Sequence, residues 1–88
     1  MKIKEGYILR DVGDSSVVVA VGKEAANFKG VITLNESAKV LWKALAKGAT
    51  MQDLQKSLTD VYDVSDEKAL ASAEKFVEKL KEAKVLED

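Results

Sequence analysis

Three residues that are typical of helix N-caps each stand directly before an amphipathic segment. The side chains of Asn35, Thr50 and Ser65 can accept hydrogen bonds from the unpaired amides of a first helical turn. After each of them, apolar residues recur at intervals of three and four, which is the spacing of one helix face. The pattern therefore predicts three consecutive helices. Their core-facing residues are expected to be Ala38, Leu41, Trp42 and Leu45, then Met51, Leu54, Leu58, Val61 and Tyr62, and finally Leu70, Ala73, Phe76, Val77, Leu80 and Ala83.

The first third of the chain has a different pattern. Residues Tyr7 to Val12 and Ser15 to Val21 are rich in aromatic and β-branched side chains, which favours strands. Between them, Gly13 tolerates a positive φ and Asp14 can bond to its own backbone, so the two strands are expected to form a hairpin.

A third β-branched run, Val31 to Leu34, directly precedes the first helix cap. Residues 22–30 before it have no sustained periodicity and are interpreted as a connection. A strand this short could complete a sheet or leave an open edge. Residues 84–87 could add a short extended tail. The order β-β-β-α-α-α predicts an α+β, winged-helix-like fold, with a three-stranded antiparallel sheet followed by a three-helix bundle.

Composition limits the chemistry. With 88 residues, the chain is interpreted as one domain, residues 1–88, whose apolar residues are mostly needed for its own core. It contains neither cysteine nor histidine, which excludes disulfides, thiol nucleophiles and the usual zinc ligands. No segment has the length of a membrane span or the pattern of a signal peptide. We therefore expect a cytoplasmic protein with no membrane partner.

No catalytic motif is present either. The sequence Gly22-Lys23-Glu24 lacks the upstream glycine and the following Ser or Thr of a phosphate-binding loop. The carboxylates are scattered, as solvated surface charges usually are. We expect a protein that is not an enzyme and has no cofactor and no metal.

A winged-helix-like fold suggests DNA binding, but the charges oppose it. Asp66 and Glu67 lie at the start of the third predicted helix, and Asp11 and Asp14 lie in the hairpin, the two places that would meet phosphates. The formal net charge is −1, which offers no overall attraction to nucleic acid. Nucleic acid is therefore not an expected partner.

Three segments resemble a known family. "LNESAKVLW" (Leu34 to Trp42), "GATMQDLQKSLTDVYDV" (Gly48 to Val64) and "AEKFVEKLKEAKVLE" (Ala73 to Glu87) are similar to the PqqD family, whose members recognise precursor peptides in the biosynthesis of peptide-derived natural products. The strand-Asn-x-Ser-Ala-x-x-Leu-Trp passage is the most distinctive part. Lys84 stands where a helix-ending glycine is common in the family.

The resemblance implies a binding mode. The leader of a ribosomally made precursor peptide would dock in extended form against the third strand, beside the third helix, and would be presented to a modifying enzyme. The implied peptide-binding residues are Val31, Ile32, Thr33, Leu34, Leu70, Ala73, Glu74, Val77 and Lys81. For Ile32, Leu34, Leu70 and Val77 a core position is the favoured interpretation, because one face of the strand and most of the helix stripe must be buried. Glu74 and Lys81 could set the charge preference of a groove rim.

The resemblance leaves several questions open. The modifying enzyme could be a radical SAM enzyme, a cyclase or another class, and both a monomer and a homodimer are compatible with the sequence. The alternatives are a winged-helix DNA-binding or regulatory domain, and a protein-interaction scaffold that dimerises through an open strand edge.

Overall fold

The structure is a computed structural model, and it describes residues 1–22 and 32–87. Within these residues, five strands and three helices follow one another. They are β1 (Lys2–Ile3), β2 (Tyr7–Val12), β3 (Ser15–Ala20), β4 (Ile32–Leu34), α1 (Glu36–Lys47), α2 (Met51–Val61), α3 (Asp66–Glu82) and β5 (Leu86–Glu87). The predicted fold is confirmed: an antiparallel sheet of β2, β3 and β4 is followed by three helices. The predicted connection, apart from Gly22, and the first residue of the third strand, Val31, lie outside the described residues.

The β2–β3 hairpin forms as the sequence predicts. Val12 pairs with Ser15 across a two-residue turn, in which Gly13 has a φ of 62°. A positive φ at the first turn position bends the chain in the sense that matches the twist of the strands. In β4, Ile32 then pairs with Val18 and Leu34 with Ser16.

A second sheet, of two short strands, joins the two ends of the chain, and the sequence pattern did not predict this pairing. Residue Ile3 of β1 pairs with Leu86 of β5, so the predicted extended tail has a strand partner. The amino group of Met1 donates a hydrogen bond to the carbonyl oxygen of Ala49 at 2.9 Å, and the amide of Ala49 donates to the carbonyl oxygen of Met1 at 2.8 Å. The N-terminal segment is thus held against the connection between α1 and α2.

All three predicted N-caps are confirmed. The side chain of Asn35 accepts from the amide of Ala38, and that of Ser65 accepts from the amide of Lys68. Thr50 forms a reciprocal capping box with Asp53 (3.1 and 2.9 Å), which satisfies two amides that would otherwise lack partners.

The core lies between the sheet and the helices. Trp42 and Phe76 are both buried, as predicted, together with a set of fully buried aliphatic side chains, the largest of which are Leu41, Leu45, Leu54, Leu80, Val18 and Val85. Two positions differ from the predicted stripes. Val61, at the last position of α2, is exposed, and the neighbouring Tyr62 packs against the core instead. In α3 the buried line runs through Ala69 and Ala73, which leaves Leu70 only half-buried.

Candidate functional site

The edge of β4 is the first component of the site. In the sheet order β2-β3-β4, β4 is the last strand, and within the described part of the chain β3 is its one strand neighbour. The side chains of Ile32 and Leu34 point into the core, whereas that of Thr33 is exposed. No other strand of residues 1–22 and 32–87 pairs with the second edge of β4, which is thus a candidate for main-chain pairing.

The register decides which residue offers its main chain at this edge. The amide of Val21 donates to the carbonyl oxygen of Gly6 at 2.7 Å, directly beyond the Tyr7–Ala20 pair. Hydrogen-bonded and non-hydrogen-bonded pairs alternate along an antiparallel ladder. In β3, the odd-numbered residues consequently bond to β2, and the even-numbered residues turn their amides and carbonyls towards β4.

It follows that Ile32 and Leu34 form the hydrogen-bonded pairs with β3. Thr33, opposite Val17, occupies a non-hydrogen-bonded pair. Its N–H and C=O therefore point away from β3, towards the open edge. Thr33 presents both its side chain and its main chain on the outside of the sheet.

A groove lies beside this edge, between β4 and α3. It is an open cavity of about 310 Å³, which we call the β4–α3 groove. Its floor is apolar, and serines and lysines stand along its sides. The lining residues are Thr33, Leu34, Asn35, Ser37, Ala38, Leu41, Ser72, Lys75, Phe76 and Lys79.

A second cavity continues the groove towards α2. This α2–α3 cavity has a volume of about 270 Å³ and is lined by Ser37, Leu58, Tyr62, Val64, Lys68, Ala69 and Ser72. Since Ser37 and Ser72 line both cavities, the two adjoin at these residues. Together they form a trough along one side of α3, from Lys79 to Lys68.

A larger cavity, of about 440 Å³, lies elsewhere, beside the N-terminus and the start of α2. It is wide open, and two of its charged groups are already hydrogen-bonded. The amino group of Met1 bonds to Ala49, and the carboxylate of Asp53 bonds to the amide of Thr50. The pKa of Asp53 lies below its usual value, chiefly because of the hydrogen bond with the amide of Thr50 and secondly because of the one with its hydroxyl. This cavity adjoins the two-residue strands β1 and β5, whereas the β4–α3 groove adjoins the edge of the three-stranded sheet and is the stronger candidate.

An ion pair fixes the hairpin to α1 on the other side of β4. Lys39 Nζ lies 2.7 Å from Asp11 Oδ1, and the hydroxyl of Ser16 donates to the same oxygen at 2.8 Å. The hydrogen bond from Lys39, followed by the one from Ser16, lowers the pKa of Asp11 below its usual value. Both charges of this pair lie outside the lining of the groove.

The structure separates the predicted site residues into three groups. Thr33 and Leu34 line the groove. Ile32, Ala73 and Val77 are buried in the core. The remaining described residues, Leu70, Glu74 and Lys81, are half-buried or exposed and are not among the lining residues. Val31 lies outside the described residues. A binding role for this set stays a prediction.

The α3 residues that line the groove are Ser72, Lys75, Phe76 and Lys79, and none of them is among the predicted binding residues. The reason is the rotation of α3, whose buried line includes Ala69 rather than Leu70. A signal was present in the sequence: Lys68, Ser72, Lys75 and Lys79 fall on one helix face at i, i+4, i+7 and i+11.

Within residues 1–22 and 32–87, no helix is both long enough and apolar enough to cross a membrane. The same residues contain no group of three or more Asp or Glu side chains placed to hold a metal ion.

Comparison with known proteins gives two matches. The family model described as Coenzyme PQQ synthesis protein D (PqqD) matches residues 15–86. A solved structure described as "TbiB1 in Complex with the TbiA(beta) Leader Peptide" superposes with a TM-score of 0.80. The match covers 99% of this chain and 95% of that chain at 17% sequence identity, so it is a likeness of fold. No curated protein matches the sequence.

Proposed function

The chain belongs to the PqqD family, and on this basis we propose that it is a non-catalytic protein that binds the leader of a ribosomally made precursor peptide. It would present the bound peptide to a modifying enzyme. Because precursor peptides are made by ribosomes, the protein would act in the cytoplasm. The TbiB1 structure, which has a similar fold, was determined with a leader peptide, and this supports the proposal.

The observation that carries the proposal is the position of Thr33. Its N–H and C=O point away from β3, towards the outer edge of β4, and Thr33 also lines a groove with an apolar floor. An extended peptide placed along this edge would become a fourth strand of the sheet. Alternate side chains of the peptide would then point into the β4–α3 groove, because side chains alternate between the two faces of a strand.

The groove can hold the peptide's apolar side chains. Ala38, Leu41 and Phe76 form an apolar surface beside the strand edge. Ser72 offers a hydroxyl to the peptide, and Ser37, whose hydroxyl donates to Asn35 Oδ1, offers an acceptor oxygen. Main-chain hydrogen bonds would supply sequence-independent affinity, and the groove would supply selectivity.

The geometry does not favour DNA binding. Asp66 and Glu67 at the start of α3 are exposed, and so are Asp11 and Asp14 in the hairpin. These are the positions that would approach phosphates in a winged-helix complex. A protein-interaction scaffold would use the same β4 edge, but would pair it with a second copy of the chain.

Amide hydrogen exchange tests the proposal most directly. The probe is a peptide selected on the protein from a displayed random library. We expect the Thr33 amide to gain protection on peptide binding, while Ile32 and Leu34, already bonded to β3, change little. Protection of Thr33 without peptide that rises with protein concentration would instead indicate a dimer through β4. Tight peptide binding without a change at Thr33 would contradict strand addition.

A further inference from the structure

Three lysines of α3 share one face of the helix. Lys68, Lys75 and Lys79 lie on the face that lines the trough formed by the β4–α3 groove and the α2–α3 cavity. None of the glutamates of the helix, Glu67, Glu74, Glu78 and Glu82, is among the residues that line the trough.

The trough has a local excess of positive charge. Among the described residues that line it there are three lysines and no aspartate or glutamate. The ion pairs within residues 1–22 and 32–87 are Lys39–Asp11 and Lys56–Asp60, and neither includes a lysine of the trough. The formal charge of the whole chain is −1, so this excess belongs to the trough and not to the protein as a whole.

Holding Lys75 and Lys79 one turn apart at the same groove has a cost. Like charges at i, i+4 repel each other and destabilise a helix slightly. An anionic partner at the groove would offset this repulsion, and the neighbouring apolar floor would reduce the screening by water.

We propose that the peptide bound in the trough is acidic. Its carboxylates would lie at alternate positions and face Lys75 and Lys79. The next alternate position would carry an apolar residue that contacts the floor of the groove. This inference rests on the proposed function, since it specifies the peptide that the β4 edge would receive. The spacing fits, because Lys75 and Lys79 are about 6 Å apart along the helix axis. Alternate side chains of an extended strand are about 6.6 Å apart.

The continuation of the trough extends the pattern. Lys68 lies about 10 Å from Lys75 along the helix axis, at the α2–α3 cavity, whose other lining residues include Leu58, Tyr62 and Val64. A peptide that extends past Ser72 would place a second apolar side chain there, with a further carboxylate near Lys68.

The test is selection of displayed random peptides on the wild type and on the charge-reversed variant Lys75→Glu/Lys79→Glu. Lys43→Glu/Lys47→Glu is the matched control. It reverses the same number of charges at the same i, i+4 spacing on α1, at lysines that share a different cavity with Asp53. Thermal unfolding verifies that each variant is folded. If the charge-reversed variant is not folded, Lys75→Gln/Lys79→Gln is used in its place.

We expect the wild type and the control to enrich peptides with Asp or Glu at alternate positions, and the charge-reversed variant to enrich Lys or Arg there. For one enriched acidic peptide, the double reversal should weaken binding by about tenfold or more. Added salt should weaken binding to the wild type, because the carboxylates meet partly exposed lysines.

The outcomes separate this inference from the proposed function. Enriched peptides that lose affinity for Thr33→Pro but carry no acidic preference would overturn the charge inference and leave strand addition intact. An acidic preference that the Lys43→Glu/Lys47→Glu control also abolishes would overturn it too, since overall charge would then explain the result. If no enriched peptide depends on Thr33, the proposed function fails, and this inference with it.

Discussion

The amide of Val85 donates a hydrogen bond to the carbonyl oxygen of Leu80 at 3.0 Å, which closes the C-terminus of α3. Within the turn that this bond closes, the amide of Lys84 donates to the carbonyl oxygen of Lys81 at 3.0 Å. The two bonds form a Schellman motif, and Lys84 takes the left-handed position with a φ of 60°. Leu80 and Val85 are both fully buried, so the motif directs the chain from α3 into β5.

The first prediction concerns this left-handed lysine. Replacing Lys84 with glycine should stabilise the protein by up to about 1 kcal/mol, because glycine adopts a positive φ without steric conflict. Replacing Lys84 with alanine should give no such gain, because alanine retains the Cβ. Urea unfolding of the three proteins measures the difference. A Lys84→Gly variant less stable than Lys84→Ala would contradict the assigned conformation.

The second prediction tests the strand edge through Thr33. Thr33→Pro removes an outward N–H and should weaken the binding of a selected peptide by about 2 kcal/mol or more, whereas Thr33→Ala should cost less than about 1 kcal/mol. Isothermal titration calorimetry on folded variants gives both values. Equal affinities for the proline and alanine variants would show that the peptide binds elsewhere.

Ile32→Pro serves as the structural control for this experiment. The amide of Ile32 belongs to a hydrogen-bonded pair with β3, and its side chain is buried. We therefore expect Ile32→Pro to destabilise the fold, while Thr33→Pro stays folded because proline is tolerated at an outward position of an edge strand.

The third prediction concerns two neighbours in α3. Ala73 is fully buried, so Ala73→Leu should destabilise the protein by about 1–3 kcal/mol through overpacking. Ser72 is exposed at the groove, so Ser72→Ala should change stability by no more than about 0.5 kcal/mol. Chemical denaturation decides between these outcomes. Similar stabilities for the two variants would mean that α3 is rotated from its position in this structure.

The fourth prediction is a pH dependence that arises from Asp11. Its pKa lies below the usual 3.8 because Lys39 and Ser16 donate to the carboxylate. A lowered pKa in the folded state stabilises the protein above the unfolded pKa, and this contribution is lost as the pH falls through the folded pKa. Lys39→Met should therefore lower stability at neutral pH and have little effect well below pH 3.8. NMR titration should show the pKa of Asp11 rising in this variant, and an unchanged pKa would contradict the ion pair.

The fifth prediction concerns nucleic acid. The exposed acids Asp14, Asp66 and Glu67 stand where a winged-helix protein would meet the phosphate backbone. Affinity for duplex DNA at physiological salt should therefore be weak and independent of sequence. Fluorescence anisotropy with several duplexes measures it, and tight, sequence-dependent binding would favour the alternative function.

Local features of the sequence predicted most of the fold. The caps Asn35, Thr50 and Ser65 and the turn at Gly13 depend on interactions within a few residues, so the helices and the hairpin could be located from the sequence. The stripe that contains Trp42 also identified a buried helix face, because helical periodicity alone fixes which residues share a side.

The site depended on relationships between distant segments. The register of β4 against β3 turns the main chain of Thr33 outward, and this register is set by pairing across the sheet. The pairing of β1 with β5 joins the two ends of the chain, so neither strand pattern alone could predict it.

The rotation of α3 about its own axis was likewise set by contacts between distant segments. Leu70 fits the helical stripe as well as Ala69 does, but the small side chains of Ala69 and Ala73 are the ones that are buried. A stripe defines a helix face only to within about one residue, and packing against neighbouring elements selects the final angle. Local signals in the sequence thus located the three helices, their N-caps and the β2–β3 hairpin. Only tertiary packing decided that Lys75 and Lys79, rather than Glu74 and Lys81, stand at the groove beside Thr33.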